Sequence, residues 1–243
     1  MIDIITRALR HPIDYSSVCR VSTLKFKEKV SEGGGVYSFI FTADNLPSWK
    51  AGQHAIFTMP GKAVTEKTWR PFSVASTPHE GVIRIGTIIS DTPSSFKKHL
   101  GDLKPDDSIR MYGPYGELYV RPEIKEIVAV AGGIGITPFR SIVADLAHKK
   151  SDVRLTLIYS AKESHVYRQE LDTWSSQNNN VNIIYTHTSE EVNLELEKQI
   201  ANRGSNTHYM LSGAPGMIEA IRKKLQSRGI RNDRIINDPF KGY

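Results

Sequence analysis

The tetrapeptide Arg70-Pro71-Phe72-Ser73 combines three side chains suited to holding a phosphorylated ring compound. An arginine can grip a phosphate through two parallel hydrogen bonds, an aromatic ring can cover a flat ring system, and a hydroxyl can bond a ring nitrogen. In an extended segment these side chains alternate, so Arg70 and Phe72 share one face and Ser73 lies across the pleat. The tetrapeptide is short, so its meaning depends on the motifs around it.

A glycine-rich loop in the second half of the chain, within the stretch VAVAGGIGITPFRSI, is the second candidate site. Gly132, Gly133 and Gly135 predict a turn after an apolar strand, and Thr137 with the following proline predicts an N-cap hydroxyl and a first helical residue. Glycines let a pyrophosphate approach the backbone, and a helix N-terminus offers unpaired N–H groups. This context predicts a dinucleotide site; the alternative is a tight turn without a ligand.

The elements that must position these residues differ between the two halves. From about Val18 to Val120, short alternating runs are separated by Gly, Pro, Asn and Asp, which is typical of an antiparallel barrel or sandwich. From Ile124 onward, continuous apolar strands alternate with helical patterns, which predicts a parallel sheet wrapped by helices. The helical patterns lie at Pro138–Lys149, Val166–Gln177, Leu194–Asn202 and Pro215–Gly229.

The length of 243 residues suits two modest domains. We predict an antiparallel β-barrel domain over residues 1–122, in which residues 1–16 form an N-terminal extension. An α/β parallel-sheet nucleotide-binding domain is predicted over residues 123–243. The sequence of this extension predicts either a short helix with Ile2, Ile5 and Leu9 on one side, covering the barrel or a partner, or a disordered segment.

Composition excludes several classes of function. The single cysteine, Cys19, rules out an internal disulfide framework and any all-cysteine iron–sulfur or zinc site, so redox chemistry would need an organic cofactor. The net charge of +6 is spread along the chain without interleaved aromatics, so no nucleic-acid partner is expected. No apolar run suits a signal peptide or a membrane span, and a cytoplasmic location is expected.

Taken together, these motifs resemble those of the ferredoxin–NADP reductase family of flavoproteins, from roughly Val18 to Tyr243. The resemblance implies an FAD-binding barrel followed by an NAD(P)-binding domain, with no iron–sulfur domain. It implies that Arg70 binds the flavin phosphate, that Phe72 beside Pro71 packs on the ribityl and ring region, and that Ser73 hydrogen-bonds near flavin N5. Phe72 stands where many members have Tyr, and the alternative is a plain core aromatic.

A second flavin segment is implied by the resemblance of IGTIISDTPSSFKKHL to the family's strand and short helix. Thr87, Ile88 and Ile89 correspond to the strand that passes the flavin. Ser94 and Ser95 correspond to the helix start that receives the pyrophosphate. The alternative is that one serine only caps the helix, although capping and phosphate binding use the same N–H groups.

In the second domain the resemblance implies that the glycine-rich loop with Thr137 holds the pyrophosphate and the nicotinamide side. After the second strand, Ser160, Lys162 and Arg168 could bind a 2′-phosphate, which favours NADPH, with NADH as the alternative. The competing interpretation is an exposed Lys–Glu pair at a helix start.

The last two motifs concern the nicotinamide. Ser212 and Gly213 match the family's Cys-Gly, which implies that Ser212 faces the nicotinamide beside the flavin. Near the C-terminus, Phe240 is the candidate ring that stacks on the flavin, with Tyr243 as the alternative. Asp238 is the candidate for a proton-relay or positioning role.

The predicted function is hydride transfer from NADPH to bound FAD, followed by electron transfer to a separate acceptor. A small acidic ferredoxin or flavodoxin, or an oxygenase component, would suit a basic chain. The alternatives are a reductase of free flavin or ferric chelates, a siderophore-reducing protein, and a non-catalytic flavin- and nucleotide-binding subunit of a larger complex.

Overall fold

The computed structural model describes residue 6, residues 8–204 and residues 206–237. The chain forms two compact units, Met1–Tyr119 and Val120–Tyr243. The predicted fold class is confirmed: an antiparallel, barrel-like sheet is followed by a parallel sheet with helices. Within the described residues, no helix is both long enough and apolar enough to cross a membrane.

The first unit is built on a six-stranded antiparallel sheet in the order β4-β3-β6-β1-β2-β5. The sheet curls until its two edge strands meet, since the N–H of Ala75, just after β4, donates to the carbonyl of Arg84 in β5 at 2.7 Å. Phenylalanine side chains fill the interior, with Phe39, Phe41 and Phe57 fully buried. The elements are β1 (Val21–Gly33), β2 (Val36–Thr42), β3 (His54–Thr58), β4 (Trp69–Ser73), β5 (Ile83–Ile88), α2 (Ser95–Gly101) and β6 (Ser108–Tyr115).

The N-terminal extension contacts the turn after β6 through polar groups. Helix α1 (Pro12–Tyr15) buries Asp14, whose carboxylate accepts a 2.6 Å hydrogen bond from the Tyr119 hydroxyl. The strand predicted to begin near Val18 begins at Val21, because residues 16–19 form a turn after α1. Leu9 is 80% exposed, so of the two surfaces that it could cover it does not cover the barrel. Ile2 and Ile5 lie outside the described residues.

The second unit is built on a five-stranded parallel sheet in the order β11-β10-β7-β8-β9. Residues 127–131 of β7 are fully buried, which explains their continuous apolar sequence. On one face, Val130 packs in a cluster with Leu196 of α5 and Ile221 of α6. The elements are β7 (Glu126–Gly132), α3 (Thr137–His148), β8 (Arg154–Ser160), α4 (Arg168–Gln177), β9 (Val181–Thr186), α5 (Ser189–Asn202), β10 (His208–Ser212), α6 (Pro215–Ser227) and β11 (Ile235–Asn237).

Helix starts in the second unit differ from the predicted ones. Helix α5 begins at Ser189 instead of Leu194, because Thr188 caps it by accepting a hydrogen bond from the N–H of Glu191 at 3.2 Å. Helix α4 begins at Arg168 instead of Val166, because Tyr167 has a φ of 63° and cannot continue a helix.

Candidate functional site

The tetrapeptide with the arginine lies on β4, paired with β3 so that Ser73 is opposite His54. Arg70 and Ser73 are buried. Contacts within the protein offset the cost of burying the charged Arg70 guanidinium. It donates hydrogen bonds to the carbonyls of Lys67 and Trp69 and lies 5.5 Å from the centroid of the Phe96 ring. This charge is therefore held close to α2, the helix that follows the predicted flavin strand.

Phe72 packs partly in the hydrophobic core of the first unit. Its ring lies 5.8 Å from Phe57 in an edge-to-face contact and 6.2 Å from Phe96, so one side belongs to the core. It is nevertheless only half-buried. The exposed part of the ring leaves apolar surface for a ligand on the same strand as Arg70.

The serines at the start of α2 have different partners. Ser94 is the N-cap and accepts a long hydrogen bond from the N–H of Lys97 at 3.4 Å. The backbone N–H and hydroxyl of Ser95 both donate to the Glu66 carboxylate, at 3.1 and 2.8 Å. The groups predicted to receive a phosphate therefore already hold an anionic side chain, and this donor set fits an anion.

The strand predicted to pass the flavin ends in a partly exposed apolar surface. Thr87 is buried, while Ile88, the last residue of β5, is 43% exposed. Ile89 packs against the hydrophobic core, and its N–H donates to the carbonyl of Gly35 at 3.0 Å. Ile88 is thus the side chain of the three that is free to contact a ring.

The glycine-rich loop of the second unit lies between β7 and α3. Residues Gly133–Ile136 form a turn of 3-10 helix, and Thr137 is the first residue of α3. The predicted N-cap role of Thr137 is wrong, because its hydroxyl donates to the Ile134 carbonyl at 2.9 Å and Ile136 holds the capping position. The Thr137 hydroxyl therefore closes the turn that precedes the helix.

Two of the three glycines lie in close contact with other parts of the unit, Gly135 against backbone atoms and Gly132 against the flexible end of the Met217 side chain. A Cβ on Gly135 would lie 2.4 Å from the Ser212 carbonyl oxygen, and one on Gly132 would lie 2.5 Å from the Met217 Sδ. Gly133 differs, since its φ is 54° and a Cβ there would meet no atom within 4 Å. Gly133 is consequently the one of these glycines whose backbone is open to a ligand.

The predicted nicotinamide residues lie directly against this loop. Ser212 ends β10 and is 3% exposed, and a Cβ on Gly213 would lie 3.1 Å from the Gly132 nitrogen. Both loops follow carboxyl ends of neighbouring parallel strands, the edge where open α/β sheets bind their ligands. The structure therefore brings together the two motifs expected to hold the nicotinamide nucleotide.

The residues predicted to read a 2′-phosphate have unequal surroundings. Ser160 ends β8, and Lys162 is exposed and forms no ion pair with any residue that the structure describes. Arg168 lies on the first turn of α4, where its Nε is 3.5 Å from the Asp172 carboxylate and its guanidinium carbon is 4.4 Å from the Tyr185 ring centroid. Lys162 is thus more available than Arg168 to bind a 2′-phosphate.

Sequence reasoning missed a histidine and aromatic cluster at the same edge of the sheet. The buried His165 ring lies 4.9 Å from the rings of Tyr159, Tyr185 and His187. Its Nε2 lies 3.2 Å from the Tyr159 carbonyl and 3.0 Å from that of Thr186. The sequence shows only a histidine in the loop after β8. Its packing could not be predicted because it depends on contacts with β9. Asp238, Phe240 and Tyr243 lie outside the described residues.

The fold and the paired loops define a class of protein: two-domain chains built like ferredoxin–NADP reductases. Residues 129–223 match the family model for the oxidoreductase NAD-binding domain. Together with the solved structures of the same architecture, this match confirms the resemblance to the ferredoxin–NADP reductase family.

Named proteins of several kinds are similar to this chain. It is 26% identical over 206 residues to the F subunit of the Na(+)-translocating NADH-quinone reductase of Actinobacillus pleuropneumoniae serotype 5b (strain L20), covering 74% of this chain and 50% of that one. The protein of the same name in Yersinia enterocolitica serotype O:8 is 27% identical over 205 residues, with the same coverage. The chain thus spans about half the length of these curated relatives.

Solved structures share the fold at lower identity. The ferredoxin-NADP+ reductase of Plasmodium falciparum superposes with a TM-score of 0.76 at 18% identity, covering 90% of this chain and 95% of that one. The cytochrome b5 reductase domain of Ulva prolifera nitrate reductase gives 0.76 at 20% identity, with 90% and 97% covered. Flavohemoglobin from Malassezia yamatoensis gives 0.77 at 18%, with 97% and 65% covered.

Proposed function

We propose that this chain is an NAD(P)H-dependent flavoprotein reductase that binds FAD in its first unit and the nicotinamide nucleotide in its second. The observation that carries the proposal is the packing of the β7–α3 loop against Ser212 and Gly213, which leaves the Gly133 backbone open at the carboxyl edge of the sheet. That edge is where parallel α/β sheets bind nucleotides. The match to an oxidoreductase NAD-binding domain supports the same assignment.

FAD suits the charge and shape of the first unit. Bound FAD supplies the ability to accept a hydride from a nicotinamide and to release electrons singly or in pairs. The Arg70 guanidinium would bind the flavin phosphate, and the exposed part of Phe72 would cover the ring system. The Ser73 hydroxyl would donate a hydrogen bond near N5, and Ser95 would bond the pyrophosphate through the groups that now hold Glu66.

The nucleotide is proposed to be NADPH, with NADH as the alternative. Lys162 supplies a cation close to Ser160 for a 2′-phosphate. Arg168 is already paired with Asp172, so the preference is expected to be modest, on the order of tenfold. The two curated relatives are components of NADH-quinone reductases, which supports testing both nucleotides side by side.

Residues that meet the nicotinamide complete the proposal. Ser212, in the position of the family's cysteine, would orient the nicotinamide through its hydroxyl without the polarizability of a thiolate. Phe240 or Tyr243 would stack on the flavin and give way to the nicotinamide, and Asp238 would position it or relay a proton.

The electron acceptor is proposed to be a separate, acidic electron-transfer protein of ferredoxin or flavodoxin type. The net charge of +6 supports a partner of opposite charge, because complementary fields accelerate association. A second candidate is an electron-input component of a larger complex, which the names of the curated relatives favour. A cytoplasmic location stays a prediction.

The proposal is tested by anaerobic stopped-flow of the purified protein reconstituted with FAD, with flavin absorbance followed after mixing with NADPH or NADH. Rapid bleaching by one nucleotide is the expected result, and the ratio of the two rates gives the coenzyme preference. Bound flavin that neither nucleotide bleaches would favour a non-catalytic role in a larger complex. Bleaching accompanied by rapid turnover of added free flavin or ferric chelate would favour the free-flavin or ferric reductase.

A further inference from the structure

Helix α6 and the loop after it hold most of the excess positive charge of the chain. Between Glu219 and Arg234 there are six cationic and two acidic side chains, a net charge of +4 against +6 for the whole chain. The charge is therefore less evenly spread than the absence of a run of like charges suggests. Ile218, Ile221 and Leu225 bury the inner side of the helix at helical spacing, which leaves the cations on the solvent side.

An open cavity of about 630 Å³ lies between α5 and α6, and three of these cations line it. Its lining residues are Lys223, Lys224, Ser227 and Arg228 of α6 and the loop after it, and Glu197 of α5. The Glu197 carboxylate lies 3.2 Å from the Lys224 Nζ and 3.0 Å from a terminal nitrogen of Arg228. These two cations are thus arranged so that they can hold a carboxylate between them.

The cavity keeps the capacity to bind further carboxylates. The side chains of Lys223 and Arg228 are 73% and 54% exposed. Lys223 lies 3.4 Å from Glu219 on the same helix, and an exposed pair of this kind contributes little and exchanges readily. An ammonium has three donors and a guanidinium five, so one carboxylate does not saturate three cations.

Other acidic residues of α5 leave this charge largely uncancelled. Glu195 is paired with Lys198 at 2.6 Å, and Glu190 and Glu191 lie in the first turn of α5. Helices α5 and α6 each connect parallel strands, so both begin at the carboxyl edge of the sheet and end at the opposite edge. Arg228 follows the thirteen residues of α6, which places it about 20 Å along the helix axis from the nucleotide edge.

The surface of α6 favours a protein partner over a nucleic acid or a membrane. Surfaces that bind single-stranded nucleic acid interleave aromatic rings with cations, and helices that lie on a membrane expose large apolar side chains. The sequence of α6 has no aromatic residue, and its isoleucines and leucine are buried. Exposed cations without either feature match the carboxylates of an acidic protein.

We propose that the exposed cations of α6 and the cavity beside them form a docking surface for an acidic segment of another protein. Because the surface lies about 20 Å from the nucleotide edge along α6, a docked partner leaves that edge accessible. The surface therefore tethers a partner and is separate from the loops proposed to bind the nucleotide. This inference goes beyond the proposed function and does not depend on it.

The test measures binding of a fluorescently labelled polyglutamate peptide to the FAD-reconstituted protein by fluorescence anisotropy. The variant that combines Lys223→Gln, Lys224→Gln and Arg228→Gln should bind the peptide about tenfold more weakly than wild type. Rising NaCl should weaken binding to wild type, because the contacts are exposed ion pairs. Lys223→Glu, at the most exposed of these side chains, should weaken binding by itself without affecting folding.

The matched control removes the same charge from the first unit. It combines Lys25→Gln, Lys27→Gln and Lys29→Gln, three exposed residues of β1, and should bind the peptide as wild type does. Equal weakening in the two triple variants would reduce the effect to net charge and overturn the docking surface.

Other outcomes would also overturn the inference. Failure of wild type to bind the peptide would remove the surface. Tighter binding of oligothymidine or of phosphatidylserine vesicles would replace the acidic protein with a nucleic acid or a lipid. Bleaching of the flavin by NADPH should be the same in wild type and in the α6 variant, and its loss in that variant alone would make the surface part of the nucleotide site. Absence of bleaching in wild type would defeat the reductase and leave the docking surface standing.

Discussion

Gly135 and Ser212 lie so close together that a Cβ on Gly135 would come within 2.4 Å of the Ser212 carbonyl oxygen. The atom that this Cβ would meet belongs to the backbone, which cannot rotate away as a flexible side chain could. The glycine-rich loop is therefore held by the turn after β10, and the arrangement expected to bind the nucleotide depends on both.

Gly135 and Gly133 of this loop should respond differently to alanine. Gly135→Ala must push apart the loop and the β10–α6 turn, and we expect it to lower the free energy of unfolding by roughly 2–4 kcal/mol. Gly133→Ala meets no atom and carries only the strain of a positive φ, about 1 kcal/mol, but its methyl group would occupy the open backbone. Thermal unfolding and NADPH titration distinguish them; similar losses of stability in both variants would contradict the packing difference.

Glu66 should compete with the flavin phosphate. Its carboxylate occupies both donors of Ser95, so Glu66→Gln keeps a hydrogen-bond acceptor there while removing the negative charge. We expect FAD to bind about threefold to tenfold more tightly to this variant. Glu80→Gln, an acidic residue bonded to the N–H of Thr77 elsewhere in the unit, is the control. Weaker FAD binding by Glu66→Gln would show that the carboxylate supports the site.

Coenzyme preference should depend on Lys162 more than on Arg168. Lys162→Ala should reduce the preference for NADPH over NADH about tenfold, because it removes the exposed cation proposed to bind the 2′-phosphate. Arg168→Ala breaks contacts with Asp172 and Tyr185, so it should change both affinities similarly. The ratio of the two reduction rates measures this. A larger change of the ratio in Arg168→Ala would assign the 2′-phosphate to Arg168.

A partly buried carboxylate should make the second unit sensitive to acid. Burial opposes ionisation of Glu126, but hydrogen bonds from Thr207 and Arg203 and the charges of Arg203 and Arg154 outweigh it and lower the pKa. A lowered folded-state pKa means that this stabilisation is complete above the ordinary glutamate pKa, about 4.3, and is lost as the pH falls through the lowered value.

Glu126→Gln should therefore lower the free energy of unfolding by roughly 1–3 kcal/mol at neutral pH and flatten its decline in acid. Denaturant unfolding at several pH values measures both effects. Glu163→Gln, an exposed residue in the loop before α4, serves as the control. An acid dependence that is the same in Glu126→Gln and wild type would place the titrating group elsewhere.

Most of the architecture could be predicted from the sequence, because alternating polar and apolar residues and continuous apolar runs are local signals of burial. The β7–α3 loop was placed correctly for the same reason, since its glycines follow a buried strand. The role of Thr137 was missed because its hydroxyl had two acceptable partners, and only the geometry of the turn selects the Ile134 carbonyl.

The residues that contact each other in the region proposed to bind flavin come from separate parts of the chain. Glu66 meets Ser95 across a separation that no periodicity reveals, and Arg70 meets the Phe96 ring only when α2 packs against β4. Strand β11 was missed because three residues are too few to show a pattern, and its pairing with β10 stabilises it. Such features follow from tertiary contacts.

The hydrogen bond between Asp14 and Tyr119 bears on whether the first unit can be joined to other domains. It joins helix α1 to the last residue of the first unit at 2.6 Å, so an early and the final segment of this unit are neighbours. Units whose ends meet in this way can be joined to other domains, or circularly permuted, without rearranging their strands. The first unit of this chain is thus suited to transfer as a self-contained part.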